Sequence, residues 1–241
     1  MKYIGIIPSR YESSRFPGKP LIDLKGKSMI KRVYERVKSA ALFDKIVVAT
    51  DDDRIFRHVK EFGGNVEMTS ANHKTGTERC GEVVKKLNLD KPDTIIVNIQ
   101  GDEPLVEKKQ LELLLSAFKN KMVDIATLGS KNFNNESPDN PNRVKVVLNH
   151  NNNALYFSRS PIPYRQKINN SDFIRHIGIY AFRAPILNKV VSLASCEIEK
   201  AESLEQLRWL YYGFTIQVLL TNIESPNIDV PQDVEKVLKL L

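Results

Sequence analysis

Cysteine is scarce. The two in 241 residues, Cys80 and Cys196, form no metal-ligand spacing and no C-x-x-C pair. A disulfide scaffold and a cysteine zinc site are excluded, and both thiols are expected to be reduced and structural. No apolar run approaches the length needed to cross a bilayer. Met1-Lys2 is followed at once by a strand-like run, with no apolar leader and small-residue cleavage site. The expectation is a cytoplasmic protein without a membrane segment. Glycine-rich phosphate signatures are missing too. Gly26-Lys27-Ser28 supplies the end of a Walker A motif, but Leu21 stands where its first glycine belongs, and no G-x-G-x-x-G occurs. No Ser–His–Asp set or Cys–His pair is readable, so no protein nucleophile is evident.

What is present is ordinary globular composition, 41% hydrophobic and 27% charged, in a length suited to one large α/β domain. The net charge of +7 favours anionic partners: nucleic acid, acidic membranes or phosphorylated small molecules. The charge is spread along the chain rather than gathered into a basic block or an aromatic-studded stripe. A dedicated nucleic-acid site therefore has little support.

Apolar runs at Tyr3–Ile7, Lys45–Thr50, Val66–Met68, Thr94–Ile99 and Asp124–Gly129 read as strands. Helical patterns lie among them: one beginning near Met29, then Arg54–Phe62 closed by Gly63-Gly64, Thr77–Leu87 and Lys108–Lys119. The alternation predicts a parallel sheet flanked by helices. From about residue 130 the pattern changes. Polar loops at Ser130–Asn142 and Tyr164–Asp172 surround a hairpin, Val144–Leu148 and Ala154–Ser158, turned at Asn149–Asn153. A strand at His176–Arg183, a helix at Leu204–Tyr212, a strand at Thr215–Leu220 and a helix at Pro231–Leu241 follow. The chain reads as one α/β domain over 1–241, with a smaller, more antiparallel excursion at about 130–220 of the kind that covers a site or dimerises.

The stretch Pro8–Pro20 is the most informative. It follows the first strand, at the edge where open α/β sheets place ligands. It carries Arg10, Arg15 and Lys19, small hydroxyl residues including Ser9, and Gly18 beside Lys19. Arginine forks, a lysine point charge and a bare glycine N–H suit a polyphosphate; a solvated basic loop would have the same composition. Gln100-Gly101-Asp102 follows the best central strand. Asp102 there is a candidate Mg²⁺ ligand or a turn cap. Asp229, ahead of Pro231, is a second metal candidate or an N-cap, while Asp233 is assigned to the helix dipole. Asp51-Asp52-Asp53 admits metal binding, capping or dipole roles. Thr75 and Thr77 open a helix whose N-terminus, with Arg79 near, could read an anion or a base edge. In the excursion, Arg159 or Arg165 could hold a carboxylate, and His176, Tyr180, Glu205 and Gln206 could bond hydroxyls.

Together these residues resemble one family, the 3-deoxy-manno-octulosonate (KDO) cytidylyltransferases. The likeness rests on IPSRYESSRFPGKPL, VVATDDDRI, FGGNVEMTSANHKTGTER, VNIQGDEPL, NRVKVV, ALYFSRSPIPY, HIGIYAFR, LEQLRWLYYG and IDVPQDVEKV, in order from Ile7 to the last helix. It implies a Rossmann-like nucleotidyltransferase fold, usually a homodimer. It implies transfer of CMP from CTP to KDO with Mg²⁺ and release of diphosphate, which feeds lipopolysaccharide assembly. By this resemblance Arg10, Arg15 and Lys19 bind the triphosphate, and Ser9 takes the place of the usual small alanine in that loop. Thr75 and Arg79 line the cytosine and ribose pocket, and Asp102 and Asp229 hold the metal. Gln100, His176, Tyr180, Glu205 and Gln206 contact the sugar acid, with Arg165 standing after the P-I-P turn.

Overall fold

The computed structural model describes residues 1–12, 16–132, 137–166, 173–223 and 226–241. The chain divides into two compact units. The first comprises Met1–Leu111, Arg183–Val191 and Ser225–Leu241. Its strands are β1 (Lys2–Pro8), β2 (Lys45–Thr50), β3 (Val66–Met68) and β4 (Thr94–Asn98). All pair in parallel, in the order β3-β2-β1-β4. The centres of β1, β2 and β4 are buried on both faces, which is why these strands read as unbroken apolar runs instead of alternating ones.

Helices α1 (Met29–Ser39), α2 (Asp53–Glu61) and α3 (Gly76–Lys86) make the crossovers. Each starts on a side-chain cap: Ser28, Asp52 and Thr75 accept main-chain N–H bonds of the first turn. Ser28 Oγ also lies 2.6 Å from His58 Nε2, which ties the start of α1 to α2. α2 ends at Gly63, whose φ of +74° supplies the left-handed cap expected of the Gly-Gly pair. α4 follows at Lys108–Ser116, and Ala117–Lys119 continues it as a 3₁₀ turn.

The chain leaves β1 for β2 on one side and returns to β4 on the other. The loops after β1 and β4 therefore part at a topological switch point, where sheets of this kind bind ligands. These loops are packed closely. A Cβ on Gly101 would stand 2.8 Å from the Pro8 carbonyl oxygen, so only glycine fits. Beneath them Leu24, Met29, Leu105, Ile228 and Val237 form a buried cluster, with Phe16, Val234, Leu238 and Leu241 against it. Burial of such side chains is worth roughly 1.5–3 kcal/mol each, and it holds the C-terminal segment beside the strand ends.

The second unit, Glu112–Phe182 with Ser192–Glu224, contains β5 (Ile125–Ser130), β6 (Lys145–Leu148), β7 (Ala154–Ser158), β8 (Arg175–Arg183) and β9 (Ile216–Leu220). β5 pairs antiparallel with β8 and parallel with β9, while β6 and β7 form the antiparallel hairpin. The Asn-rich turn closes with Asn149 N–H on Asn153 O, and Asn152 takes a φ of +59°. α5 (Ala184–Val190), in the first unit, and α6 (Glu197–Glu202) are additions to the sequence reading; α7 (Glu205–Tyr211) and α8 (Gln232–Leu238) match it within two or three residues. The protein is thus α/β, with mostly parallel pairing in its first half and antiparallel pairs in its second.

Candidate active site

A cavity of about 230 Å³ opens at the carboxyl edge of β1 and β4. Ser9, Arg10 and Lys19 line it from the β1 loop, Lys74–Gly76 from the start of α3, and Gln100–Asp102 from the β4 loop. Its lining combines cations with a helix N-terminus, an arrangement that attracts phosphate oxygens. The Ser9 hydroxyl is buried on this wall and has no hydrogen-bond partner among the described residues. Arg10 is exposed to solvent, and Arg15 lies outside the described residues.

Lys19 is placed by its backbone. Gly18, at φ +71°, turns the chain into a 3₁₀ turn, Lys19–Leu21, whose Pro20 is buried. The ammonium sits 2.5 Å from Asp102 Oδ2 and donates to the Ile228 carbonyl at 2.8 Å. Ile228 N–H in turn donates to the Asp102 carbonyl. The C-terminal segment is thereby bonded to the β4 loop one residue before Asp229. Asp229 accepts from Asn227 Nδ2 at 2.9 Å. Asp233 does more than favour the helix dipole: its Oδ2 accepts the main-chain N–H groups of Asp229 and Val230. It fixes the turn that carries Asp229.

Thr75 caps α3 through Glu78 N–H, and Glu78 Oε2 takes the Lys74 N–H. Gly76 lets this turn approach Pro8, whose ring would lie 3.0 Å from a Cβ there. Arg79 is buried and divides its guanidinium among Asp51 Oδ2 at 2.8 Å, the Thr69 hydroxyl and Ser70 O. The Asp51–Asp53 triplet separates into three roles: Asp51 pairs with Arg79, Asp52 caps α2, and Asp53 sits in its first turn. The Arg54 side chain holds the Asp52 carboxyl below its usual range. His73 bonds Glu82. Burial works to raise the Glu82 carboxyl, but Lys86, the Ser70 N–H and His73 outweigh it and bring it to about 2.

Within the second unit the structure gathers His176, Tyr180 and the start of α7. His176 Nε2 lies 3.0 Å from Thr127 Oγ1, and its ring packs at 5.0 Å from Phe157 and 5.2 Å from Tyr180. Burial, then the nearby Arg175 charge, lowers the His176 pKa to about 3. Burial, then the Glu205 carboxylate, raises the Tyr180 phenol well above its usual value. Glu205 accepts from Arg208 at 3.2 Å, and Gln206 beside it is buried. The two candidate arginines have partners within this unit. The Arg159 guanidinium donates to the main-chain carbonyls of Glu202, Pro141 and Ser203, and Arg165 stacks on Phe173 at 3.9 Å.

Lys145, in the NRVKVV block, was not among the sequence candidates. It is fully buried, its ammonium donates to the carbonyls of Arg159 and Asn140, and burial lowers its pKa. A charge inside a strand was its only sequence signal.

The neutral His176 has a consequence for acid stability. Its folded pKa lies below the unfolded value, so protonation favours the unfolded chain. Stability should fall as pH drops below about 6.5, by about 1.4 kcal/mol per pH unit, until the folded pKa is reached. Urea unfolding between pH 7 and pH 4 checks this. His176→Gln should flatten the slope by one proton; an unchanged slope would show that His176 does not carry it.

A cavity at a switch point, cationic and closed by a helix N-terminus, marks a nucleotide-binding α/β enzyme. The cytidylyltransferase family model matches residues 4–218. The chain is 49% identical to the 3-deoxy-manno-octulosonate cytidylyltransferase of Porphyromonas gingivalis, covering 99% of this chain and 96% of that protein. It is also 49% identical to that of Parabacteroides distasonis, with 100% and 98% covered. A solved structure of CMP:2-keto-3-deoxy-manno-octonic acid synthetase complexed with CTP superposes with a TM-score of 0.92 at 41% identity, over 100% of this chain and 98% of that one. The chain belongs to the cytidylyltransferase family, in its 3-deoxy-manno-octulosonate cytidylyltransferase group. It is a nucleotidyltransferase, and such enzymes typically use a divalent metal. Among the described residues no helix is long and apolar enough to cross a membrane.

Proposed function

We propose that this protein transfers CMP from CTP to 3-deoxy-D-manno-octulosonate, releasing diphosphate and supplying the activated sugar acid for lipopolysaccharide assembly. The observation that carries this reading is the full-length identity with the two relatives of that name. The first-unit cavity supports the nucleotide end of it. Arg10, Arg15 and Lys19 bind the triphosphate and neutralise the departing diphosphate. The unpartnered Ser9 hydroxyl and the α3 N-terminus at Thr75 take further phosphate or ribose oxygens, and Arg79 closes the base pocket. The sugar-acid residues of this reading are Gln100 in the first unit and Arg159, Arg165, His176, Tyr180, Glu205 and Gln206 in the second, whose contacts turn binding into orientation of the anomeric hydroxyl. His176 enters this role as a neutral ring, able to share a hydrogen bond with a hydroxyl without adding charge.

The metal is Mg²⁺, held by Asp102 and Asp229. The donor set fits: Asp102 on the β4 loop, already engaged with a cation, the Lys19 ammonium, and Asp229 one residue after Ile228, whose N–H is bonded to the Asp102 carbonyl. Bound there, Mg²⁺ supplies Lewis acidity at the α-phosphate. Among the described residues no group of three or more His, Cys, Asp or Glu side chains gathers for a metal. The chain acts as one nucleotidyltransferase domain, as a cytoplasmic homodimer, with residues about 130–220 carrying the sugar and dimer contacts. It needs no specific nucleic acid and no membrane.

The test is diphosphate release from CTP and Mg²⁺ with the octulosonate as acceptor. N-acetylneuraminate and the 8-amino analogue serve as alternative acceptors, and ATP, GTP and UTP as alternative donors. Release that requires both CTP and the octulosonate is the expected result. Release with a different acceptor alone would overturn the roles of His176, Glu205 and Gln206, and no release at all would overturn the reading.

A further inference from the structure

The Lys19 ammonium has two claims on its charge, a carboxylate and the proposed triphosphate. It lines the cavity in which a triphosphate ligand is proposed, and there it lies against Asp102 Oδ2 and the Ile228 carbonyl. Ile228 precedes Asp229, and its N–H is bonded to the Asp102 carbonyl. The pair is partly shielded, with side-chain exposures of 14% for Lys19 and 24% for Asp102, so water screens it only in part.

We propose that Lys19 is a tethered competitor for the metal site, and that nucleotide must draw its ammonium away before a divalent cation binds Asp102 well. This rests on the reading above in which Asp102 is a metal ligand. The backbone of Lys19 is fixed by Gly18 and the buried Pro20, while its four-carbon stem is free to move the charge. Without nucleotide the ammonium neutralises Asp102 and covers an oxygen a divalent ion needs. Two cations at one carboxylate repel each other, so free metal binds poorly. A triphosphate carries several negative charges and gives the ammonium a better partner within the same cavity. Asp102 would then be free to hold a divalent ion together with phosphate oxygens. Metal and nucleotide are thereby coupled positively and, by linkage, reciprocally. The device keeps the protein from holding a divalent ion in an empty site.

The experiment measures Mn²⁺ binding to nucleotide-free protein by the loss of the free-ion paramagnetic resonance signal. Wild type, Lys19→Met and Lys19→Met/Asp102→Asn are compared. Removing a charge-assisted bond at the carboxylate should tighten Mn²⁺ binding roughly ten- to hundredfold in Lys19→Met, and Asp102→Asn should abolish that gain. Lys19→Gln should show the same gain, which keeps the test open if the methionine variant does not fold. Neutral variants that are folded by circular dichroism and bind Mn²⁺ no tighter than wild type would overturn the proposal. So would a gain that survives Asp102→Asn. Diphosphate release by wild type on the same preparation reports separately on the reading beneath: its absence would remove that reading and leave the Mn²⁺ competition standing.

Discussion

Asp229→Asn should leave the protein folded and cut turnover of CTP and octulosonate by about 10²–10⁴-fold, the range for losing a charged stabiliser of a phosphoryl-transfer transition state. The fold should survive because the bonds that shape the turn use main-chain N–H groups, not the side chain of residue 229. Asp233 Oδ2 accepts the N–H groups of residues 229 and 230 whatever side chain stands at 229. An asparagine oxygen can also still accept from Asn227 Nδ2, as Oδ2 of Asp229 does now. The pattern differs from that expected of Asp233→Asn, which loosens the turn, costs about 1 kcal/mol as lost caps do, and lowers turnover only through that loosening. Steady-state kinetics with Mg²⁺ titrated over a wide range separates the cases. A fall in turnover that added Mg²⁺ partly restores marks a ligand; a near-wild-type rate at every Mg²⁺ concentration would remove Asp229 from the metal site.

Much of this site was legible because open α/β sheets gather ligands at one edge, and buried parallel strands announce themselves. β1, β2 and β4 are covered on both faces and carry uninterrupted apolar runs, so the loops after them could be located, and with them Lys19 and Asp102. Two helices were not legible. α6 has no buried residue, so it has no apolar stripe to detect, and α5 is two turns opened by a proline. Partner choice was also hidden. A carboxylate triplet looks the same whether its members cap, pair or bind metal, and only the packing of α3 assigns Asp51 to Arg79. Arginine sequence context does not reveal that the Arg159 fork is taken up by main-chain carbonyls. Nor can a sequence show that a main-chain oxygen, that of Ile228, shares the Lys19 ammonium.

The largest stability effect is expected at the Arg79–Asp51 pair. Arg79 reaches from α3 to the ends of two strands: Asp51 follows β2, and Thr69 and Ser70 follow β3. Thr69 is itself bound to the Thr50 carbonyl through both its N–H and its hydroxyl. The guanidinium is 3% exposed, so Asp51→Ala leaves a buried cation with neutral acceptors only. Breaking a buried pair from one side costs about 3–5 kcal/mol. Asp51 is 18% exposed, so water can reach the vacated position, and the lower end, about 3 kcal/mol, is expected in urea unfolding. Arg79→Met/Asp51→Ala removes both charges and should recover more than half of that loss, because a flexible apolar side chain fills the space. The double variant should still bind CTP more weakly than wild type, since Arg79 lines the cavity. Recovered stability with weakened CTP binding assigns the arginine to the ligand as well as the fold. Recovered stability with unchanged CTP affinity would leave it a strut between α3 and the strand ends, and the base pocket would need another reader.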